Sequence, residues 1–342
     1  MQSKILYLLT RTPLHIGAGA SVGAIDQPVQ RERHTGFPII PATSQKGSFA
    51  DQWPTSLSDC GKPARVKILR DDKGQPLKDP NGKLQLDGPP DPSAWLFGSD
   101  KDLSFAGSLI FSEARLLAFP IRSAKGSFAW ITCPLMLQRA KRDGAISADI
   151  PPEPTHDQAI FLRSGDIPVP SFPKLTEAHL DLDDQIVLEE YCLNHTGTYP
   201  APLAVELASL LPNDPLFQSI TERLVILSNG MMSHFASTAC EIAQHVRIND
   251  ETDTADEGGL FNQENVPGDT LFYALLSSTN SRVPHPDFAS KADTDALTEF
   301  TTKINTLNVF QFGGDATTGL GFCSVVADDP IHPADSTQQP VA

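Results

Sequence analysis

Residues 14–49 read LHIGAGASVGAIDQPVQRERHTGFPIIPATSQKGSF, and this stretch decides the fold. Its first half is rich in glycine and turn formers, so it predicts a loop and not a regular element. The segment FPII predicts a short strand end, and the Ser/Thr run after it caps a helix start. Upstream, residues 4–12 (KILYLLTRT) carry apolar side chains on both alternating faces, the pattern of a strand covered on both sides. The chain thus opens with a strand–loop–helix unit. Near its other end, residues 293–307 predict a helix, 308–312 a strand, and 313–321 a glycine loop, GGDATTGLG. Two such units at opposite ends of one chain predict an α+β domain, a split β-α-β arrangement with large insertions.

Working inward, residues 61–93 are polar and rich in proline and glycine, which marks an insertion outside the core. Residues 107–122 and 127–135 have strand character around a turn at Lys125-Gly126, and residues 135–142 begin a helix. Residues 143–180 are irregular, 179–192 extended, and 202–211 and 215–227 have helical periodicity. Residues 241–249 and 260–276 are strand-like and flank the acidic run DETDTADEGG, which predicts a projecting hairpin. The WLFG run starting at Trp95 reads as core, no tandem repeat is visible, and the last dozen residues read as a tail.

Composition bounds the function. The 342 residues include no run of about 18 apolar side chains such as a membrane helix needs, and the N-terminus reads as a strand instead of a signal peptide. A cytoplasmic protein is expected, with no membrane partner. The five cysteines are scattered without a CxxC pair, against both a disulfide framework and a zinc site. The net charge of −16 speaks against nucleic acid until its distribution is read. Residues 1–142 hold 19 Lys and Arg against 12 Asp and Glu, while residues 143–342 hold 7 against 30. Phosphate binding needs local positive potential only, and the N-terminal part supplies it.

Asp26 sits between Ile25 and Gln27-Pro28, just before Arg31 and Arg33. A loop carboxylate there can hold a metal ion, accept a proton, or only cap backbone N–H groups of its own turn. An imidazole is suited to proton transfer near neutral pH, so His15 can share acid–base work or contact a phosphate, although a histidine at a strand end is as often structural. Ser44, Lys46 and Gly47 open the predicted helix, whose free N–H groups and dipole suit a phosphate. Arg31 and Arg33, two apart in an extended segment, point to one side. The loop with Gly313, Gly314 and Thr317 lets a backbone approach phosphates closely, but lacks the spacing of a nucleotide-triphosphate loop. Arg122 and Lys125 flank a strand turn and are further candidates for phosphate contact. The hairpin tip, with Asp250, Glu251, Asp253, Asp256 and Glu257, is too acidic for that role.

Four collinear blocks carry a resemblance: residues 14–49, residues 106–139 (AGSLIFSEARLLAFPIRSAKGSFAWITCPLMLQR), residues 246–273 (VRINDETDTADEGGLFNQENVPGDTLFY) and residues 313–322 (GGDATTGLGF). In that order they resemble the backbone subunits of type III-B (Cmr-type) CRISPR effectors, members of the RAMP superfamily. The resemblance implies an RRM-like, ferredoxin-like core over residues 1–342, with insertions at about 55–100 and 143–235. It also implies a β-hairpin thumb at about 241–273 and a tail at about 329–342. It further implies binding of guide CRISPR RNA and single-stranded target RNA, and a filament of copies of the chain. The other Cmr subunits implied are a large polymerase-like subunit, a small helical subunit and capping RAMP subunits. Cleavage of the target at regular intervals, dependent on a divalent metal ion (Mg²⁺ or Mn²⁺), is implied at Asp26. His15 is its candidate helper, and Arg31, Arg33, Ser44, Lys46, Gly47, Arg122, Lys125, Gly313, Gly314 and Thr317 are the RNA-binding candidates. Gln45, Ala50 and Leu320 depart from the family pattern, the last two where basic residues are common, which removes two phosphate contacts. A non-cleaving scaffold subunit is the alternative. A stand-alone small-molecule enzyme is disfavoured, because no second set of convergent acids or nucleophiles accompanies either glycine loop.

Overall fold

Six consecutive buried residues, Ile5 to Thr10, make the first strand, β1 (Ser3–Thr10), an interior strand of a sheet. The structure is a computed structural model that describes residues 2–19, 23–53, 68–88, 91–99, 105–163, 180–249, 251–283 and 285–331. Most of the expected tail and parts of both expected insertions lie outside the described residues, as does Cys60. After β1 come β2 (Ile39–Ile40), α1 (Ala42–Ala50), α2 (Pro92–Phe97), β3 (Gly98–Ser99), β4 (Phe105–Ala106), β5 (Leu109–Phe111), β6 (Ala114–Ser123), β7 (Ser127–Thr132) and α3 (Pro134–Arg142). The middle of the chain adds β8 (Gln158–Ile160), β9 (Gln185–Leu188), β10 (Tyr191–Gly197), α4 (Ala201–Ser209), α5 (Ile220–Arg223), β11 (Leu224–Ile226) and α6 (Asn229–Thr238). The last part holds β12 (Glu241–Ile248), β13 (Ala255–Asn265), β14 (Leu271–Ser278), α7 (Pro286–Ala289), α8 (Asp293–Leu307), β15 (Val309–Gln311) and β16 (Phe322–Asp328).

The chain forms two compact units. The larger comprises Ile5–Pro41, Glu113–Ala274 and Asn308–Ala342. Its sheet runs β15-β16-β1-β14-β6-β7-β11-β8-β10-β9. The stretch β16-β1-β14-β6 has the strand order 4-1-3-2 of a ferredoxin-like β-α-β-β-α-β unit, with α1 and α8 as its two helices in sequence. Within it β1 runs antiparallel to β16, and β14 antiparallel to β6. The α+β, RRM-like expectation therefore holds, with a helical insertion between β7 and β12. In that insertion α3 starts on Pro134 and ends on Arg139, Lys141 and Arg142, each charge suited to the helix dipole, and it buries Met136, Leu137 and Ala140. The periodicity of residues 215–227 misleads: only a 3₁₀ turn and the short α5 form, and Leu224–Ile226 continues as β11, parallel to β7. The apolar spacing there serves burial in the sheet, which overrides helical propensity.

The projecting hairpin is β12–β13, paired from Glu241↔Asn265 to Val246↔Leu260, then through a bulge to Ile248↔Ala255. It closes at Asn265, short of the expected 273, and β14 is a separate strand of the large sheet. The smaller unit comprises Met1–Lys4, Ala42–Ser112 and Leu275–Leu307. Its core is aromatic: Phe49 lies 5.6 Å from Phe111 and 5.0 Å from Phe300, and Trp53 lies 5.0 Å from Phe97. α8 feeds this core with Ala296, Leu297, Phe300 and Ile304, one stripe of a helix. Trp95 is core, as its WLFG run predicts. In residues 68–88 a repeat does exist: Asp71 and Asp79, eight residues apart, each accept two turn N–H groups. Leu69, Leu77 and Gln85 then bond to one another in a closed ring of three short segments.

Among the described residues no helix is long and apolar enough to cross a membrane. Cys133, Cys240 and Cys323 are buried free thiols, and burial pushes Cys133 up to about 12 and Cys240 up to about 11. Cys133 and Cys323 pack as small apolar groups, and Cys240 Sγ accepts from Arg31 at 3.2 Å; none is placed as a nucleophile.

Candidate functional site

In the larger unit, three segments far apart in sequence meet on the end of β13. Residues 14–19 and 23–31 meet this strand at two places: Leu14 and Val266 exchange backbone hydrogen bonds of 2.8 and 2.9 Å. The Gln27 N–H donates to the Asn262 carbonyl at 3.1 Å, and the Glu264 N–H to the Gln27 carbonyl at 2.9 Å. Between these anchors, Asp26 is exposed. Its Oδ2 accepts the Asn262 N–H at 2.9 Å, while Asn262 Oδ1 accepts the Asp26 N–H at 2.8 Å. Asn262 Nδ2 also donates to the Ala24 carbonyl at 3.0 Å. Asp26 thus accepts from a distant strand instead of capping its own turn. Its Oδ1 has no hydrogen-bond partner among the described residues.

His15 is buried, with Nδ1 2.7 Å from the Glu264 carbonyl oxygen. A carbonyl only accepts, so Nδ1 carries the proton and Nε2 is the basic nitrogen of the neutral ring. Asp26 and His15 therefore hang on Asn262 and Glu264, two residues and ~7 Å apart along one strand. The glycine loop is the third segment: the Gly314 N–H donates to the His15 carbonyl at 3.0 Å. Gly313, at φ 77°, is required there, because a Cβ would fall onto that same carbonyl oxygen. Asp315, left-handed at φ 58°, accepts from Gln263 Nε2 at 3.0 Å, and Ala316–Thr318 wind into a 3₁₀ turn with Thr317 exposed.

Arg31 and Arg33 do not share a side. Arg31 turns inward, 2.5 Å from Glu264, and donates to the carbonyls of Gly36 and Ala236 at 2.6 and 2.7 Å, while Arg33 is exposed in a turn. Glu264, only 3 % exposed at its side chain, also accepts the Val29 N–H at 2.9 Å, so this one carboxylate pins the loop by two groups. Next to it, Glu32 takes Arg139 at 2.9 Å and the Thr35 hydroxyl at 2.6 Å. Burial opposes its charge, but these two partners hold the Glu32 carboxyl below its usual range. Arg122 pairs with Glu189 at 2.9 Å, and Lys125 donates to the Asp181 carbonyl at 2.6 Å, so both spend donors within the chain.

In the smaller unit α1 begins at Ala42, two residues before Ser44, and Lys46 and Gly47 fall in its second turn. Gln45 is fully buried and donates to the Ser112 carbonyl at 2.9 Å, and Ala50 packs inward. Both departures from the family pattern thus serve the core of this unit. The sequence reading missed Asn262, Gln263 and Glu264. Their signal was an unbroken polar run, NQEN, in a strand, of which Gln263, Glu264 and Asn265 are buried. Among the described residues no three His, Cys, Asp or Glu side chains converge as a metal cage.

A 4-1-3-2 core whose last loop is glycine-rich, with a hairpin strand holding the loop that carries Asp26, defines an RRM-like module with a polar site on one strand end. The chain belongs to the RAMP superfamily, whose family model matches residues 7–324. It is 30 % identical over 330 residues, 95 % of each chain, to the CRISPR system Cmr endoribonuclease Cmr4 of Pyrococcus furiosus. Among solved structures, oligomeric Cmr4 from Pyrococcus furiosus superposes with a TM-score of 0.60 at 25 % identity, covering 97 % of this chain and 100 % of that one. A chain of the type III-B Cmr-beta complex bound to cognate target RNA shares the fold, with a TM-score of 0.61 at 18 % identity over 96 % of this chain and 97 % of that one.

Proposed function

We propose that this chain is the guide-RNA-binding backbone subunit of a type III-B CRISPR effector and cuts single-stranded target RNA at Asp26. The observation that carries the reading is the Asp26–Asn262 exchange. In a chain 30 % identical to a Cmr endoribonuclease, it holds an exposed loop carboxylate in one orientation with one oxygen left for substrate. The partners proposed are guide CRISPR RNA, target RNA, further copies in a filament and the other Cmr subunits, in the cytoplasm.

Attack of the target's own 2′-OH on the adjacent phosphorus forms a cyclic phosphate and releases a 5′-hydroxyl. It needs a proton acceptor at the 2′-OH and in-line geometry. His15 Nε2 is the basic nitrogen at hand, and the Glu264 carbonyl fixes its tautomer. The one oxygen of Asp26 that Asn262 leaves open, Oδ1, faces the substrate through the cation it would hold. A divalent cation, Mg²⁺ or Mn²⁺, would supply charge neutralisation at the phosphate, with Asp26 as the residue holding it. A hard cation that keeps water and phosphate oxygens in its shell suits one protein carboxylate.

The test is cleavage by the reconstituted complex with Mg²⁺ or Mn²⁺, wild type against Asp26→Asn. Evenly spaced cuts that vanish in the variant, with target binding intact, support the reading. Cuts that persist move the chemistry elsewhere, and absence of cuts from either protein leaves a non-cleaving scaffold.

A further inference from the structure

We infer that Arg282 and Lys46 together form a phosphodiester-binding cleft in the smaller unit, so that RNA is gripped there by two cations from sequence-distant segments. The inference rests on the RNA-binding reading above and extends it to a residue that no motif marks. A cleft of about 300 Å³ is lined by Thr43 and Lys46 of α1, by Leu109, Ile110 and Phe111 of β5, and by Arg282 just after β14. No acidic side chain of the described residues lines it. Arg282 is exposed and makes no ion pair among the described residues, in contrast to Arg31, Arg115, Arg122 and Arg139. A guanidinium in the open, on a cleft whose other charged wall residue is a lysine, is a place for an anion.

The remaining wall selects among anions. Ile110 is 42 % exposed beside Leu109 and Phe111, so the cleft offers apolar surface next to its positive charge. A nucleotide has both matching parts, a phosphodiester and a flat apolar base or ribose edge. Free phosphate would leave Ile110 uncovered. The first turn of α1, which carries Thr43, adds backbone N–H groups at the same edge. Lys46 is the single basic residue of α1, so a second cation has to arrive from another segment, and Arg282 is the residue that does so.

The test measures guide-RNA affinity against salt for the complex assembled with full-length chain, comparing wild type, Arg282→Ala, Arg282→Lys and Lys46→Ala. Removing one phosphate contact lowers the slope of log K against log salt by ~0.7 for single-stranded RNA, and removing one charged hydrogen bond weakens binding about tenfold. Arg282→Ala and Lys46→Ala are each expected to show both effects, while Arg282→Lys keeps the slope, which also excludes misfolding as the cause. The same losses appearing only after target RNA is added assign the phosphate to the target strand and equally support the cleft. A slope changed by Lys46→Ala but not by Arg282→Ala overturns the two-cation cleft and leaves the RNA reading standing. No change in either overturns both. Weaker assembly of copies with an unchanged slope overturns the cleft in favour of an acidic surface of a neighbouring copy.

Discussion

Asp26 and Asn262, 236 positions apart, exchange two hydrogen bonds, each using a backbone N–H of one residue and a side-chain oxygen of the other. The geometry makes the hairpin a part of the candidate site, because its second strand determines where the loop carboxylate points.

Asn262→Ala removes the acceptor for the Asp26 N–H and the donor to Ala24, while the backbone N–H to Oδ2 survives. The carboxylate then swings about one remaining bond. Misplacement of a reacting group by ~1 Å costs about 100-fold in rate, so single-turnover cleavage is expected to fall ten- to a hundredfold. Target binding, followed by gel shift, should stay within roughly twofold, because every phosphate contact is kept; a large fall in binding would place Asn262 in RNA recognition instead.

Arg31→Met leaves the Glu264 carboxylate buried without its guanidinium. Breaking a buried pair costs ~3–5 kcal/mol, and the 20 % exposure of the Arg31 side chain points to the lower end of that range. Thermal or urea unfolding should show it, and Arg31→Met with Glu264→Leu should recover part of the loss. Full additivity of the two single changes would show that the pair is not coupled.

Gly313→Ala and Gly314→Ala should behave differently although adjacent. At Gly313 a Cβ meets the His15 carbonyl at a φ of 77°, and at Gly314 it meets nothing within 4 Å. The left-handed conformation alone costs alanine ~1–2 kcal/mol, and relief of the clash displaces His15. Cleavage should fall with Gly313→Ala and hold with Gly314→Ala; equal losses would mean that the loop acts through its flexibility and not through this contact.

Glu32 ties stability to acid pH. Its folded carboxyl lies below the ordinary value of 4.5, so its contribution is fully present above that value. It fades as pH falls below 4.5 and is gone once the lowered folded value is passed. Melting temperatures followed from pH 7 down to about pH 3 should show a steeper acid fall for wild type than for Glu32→Gln. Parallel curves would remove Glu32 as a cause.

Periodicity and end signals made the framework legible. β1, α3, α4 and α8 stand close to residues 4–12, 135–142, 202–211 and 293–307 where the sequence predicts them, because such signals are local and each element reports its own burial. The error at residues 215–227 has the same root: a short apolar run fits helix and buried strand alike, and only neighbours such as β7 decide between them.

By itself the sequence determined the order of candidate strands, the glycine loop and the loop carboxylate at Asp26, all properties of residues near one another in the chain. Only the tertiary structure decided what Asp26 and His15 touch, that Arg31 is half-buried against Glu264 while Arg33 faces solvent, and that Arg282 joins Lys46 on one cleft. Those pairings span tens to hundreds of residues. A hydrogen bond or ion pair of that range depends on the register of β13 and the ends of β5 and β14, which no local pattern encodes.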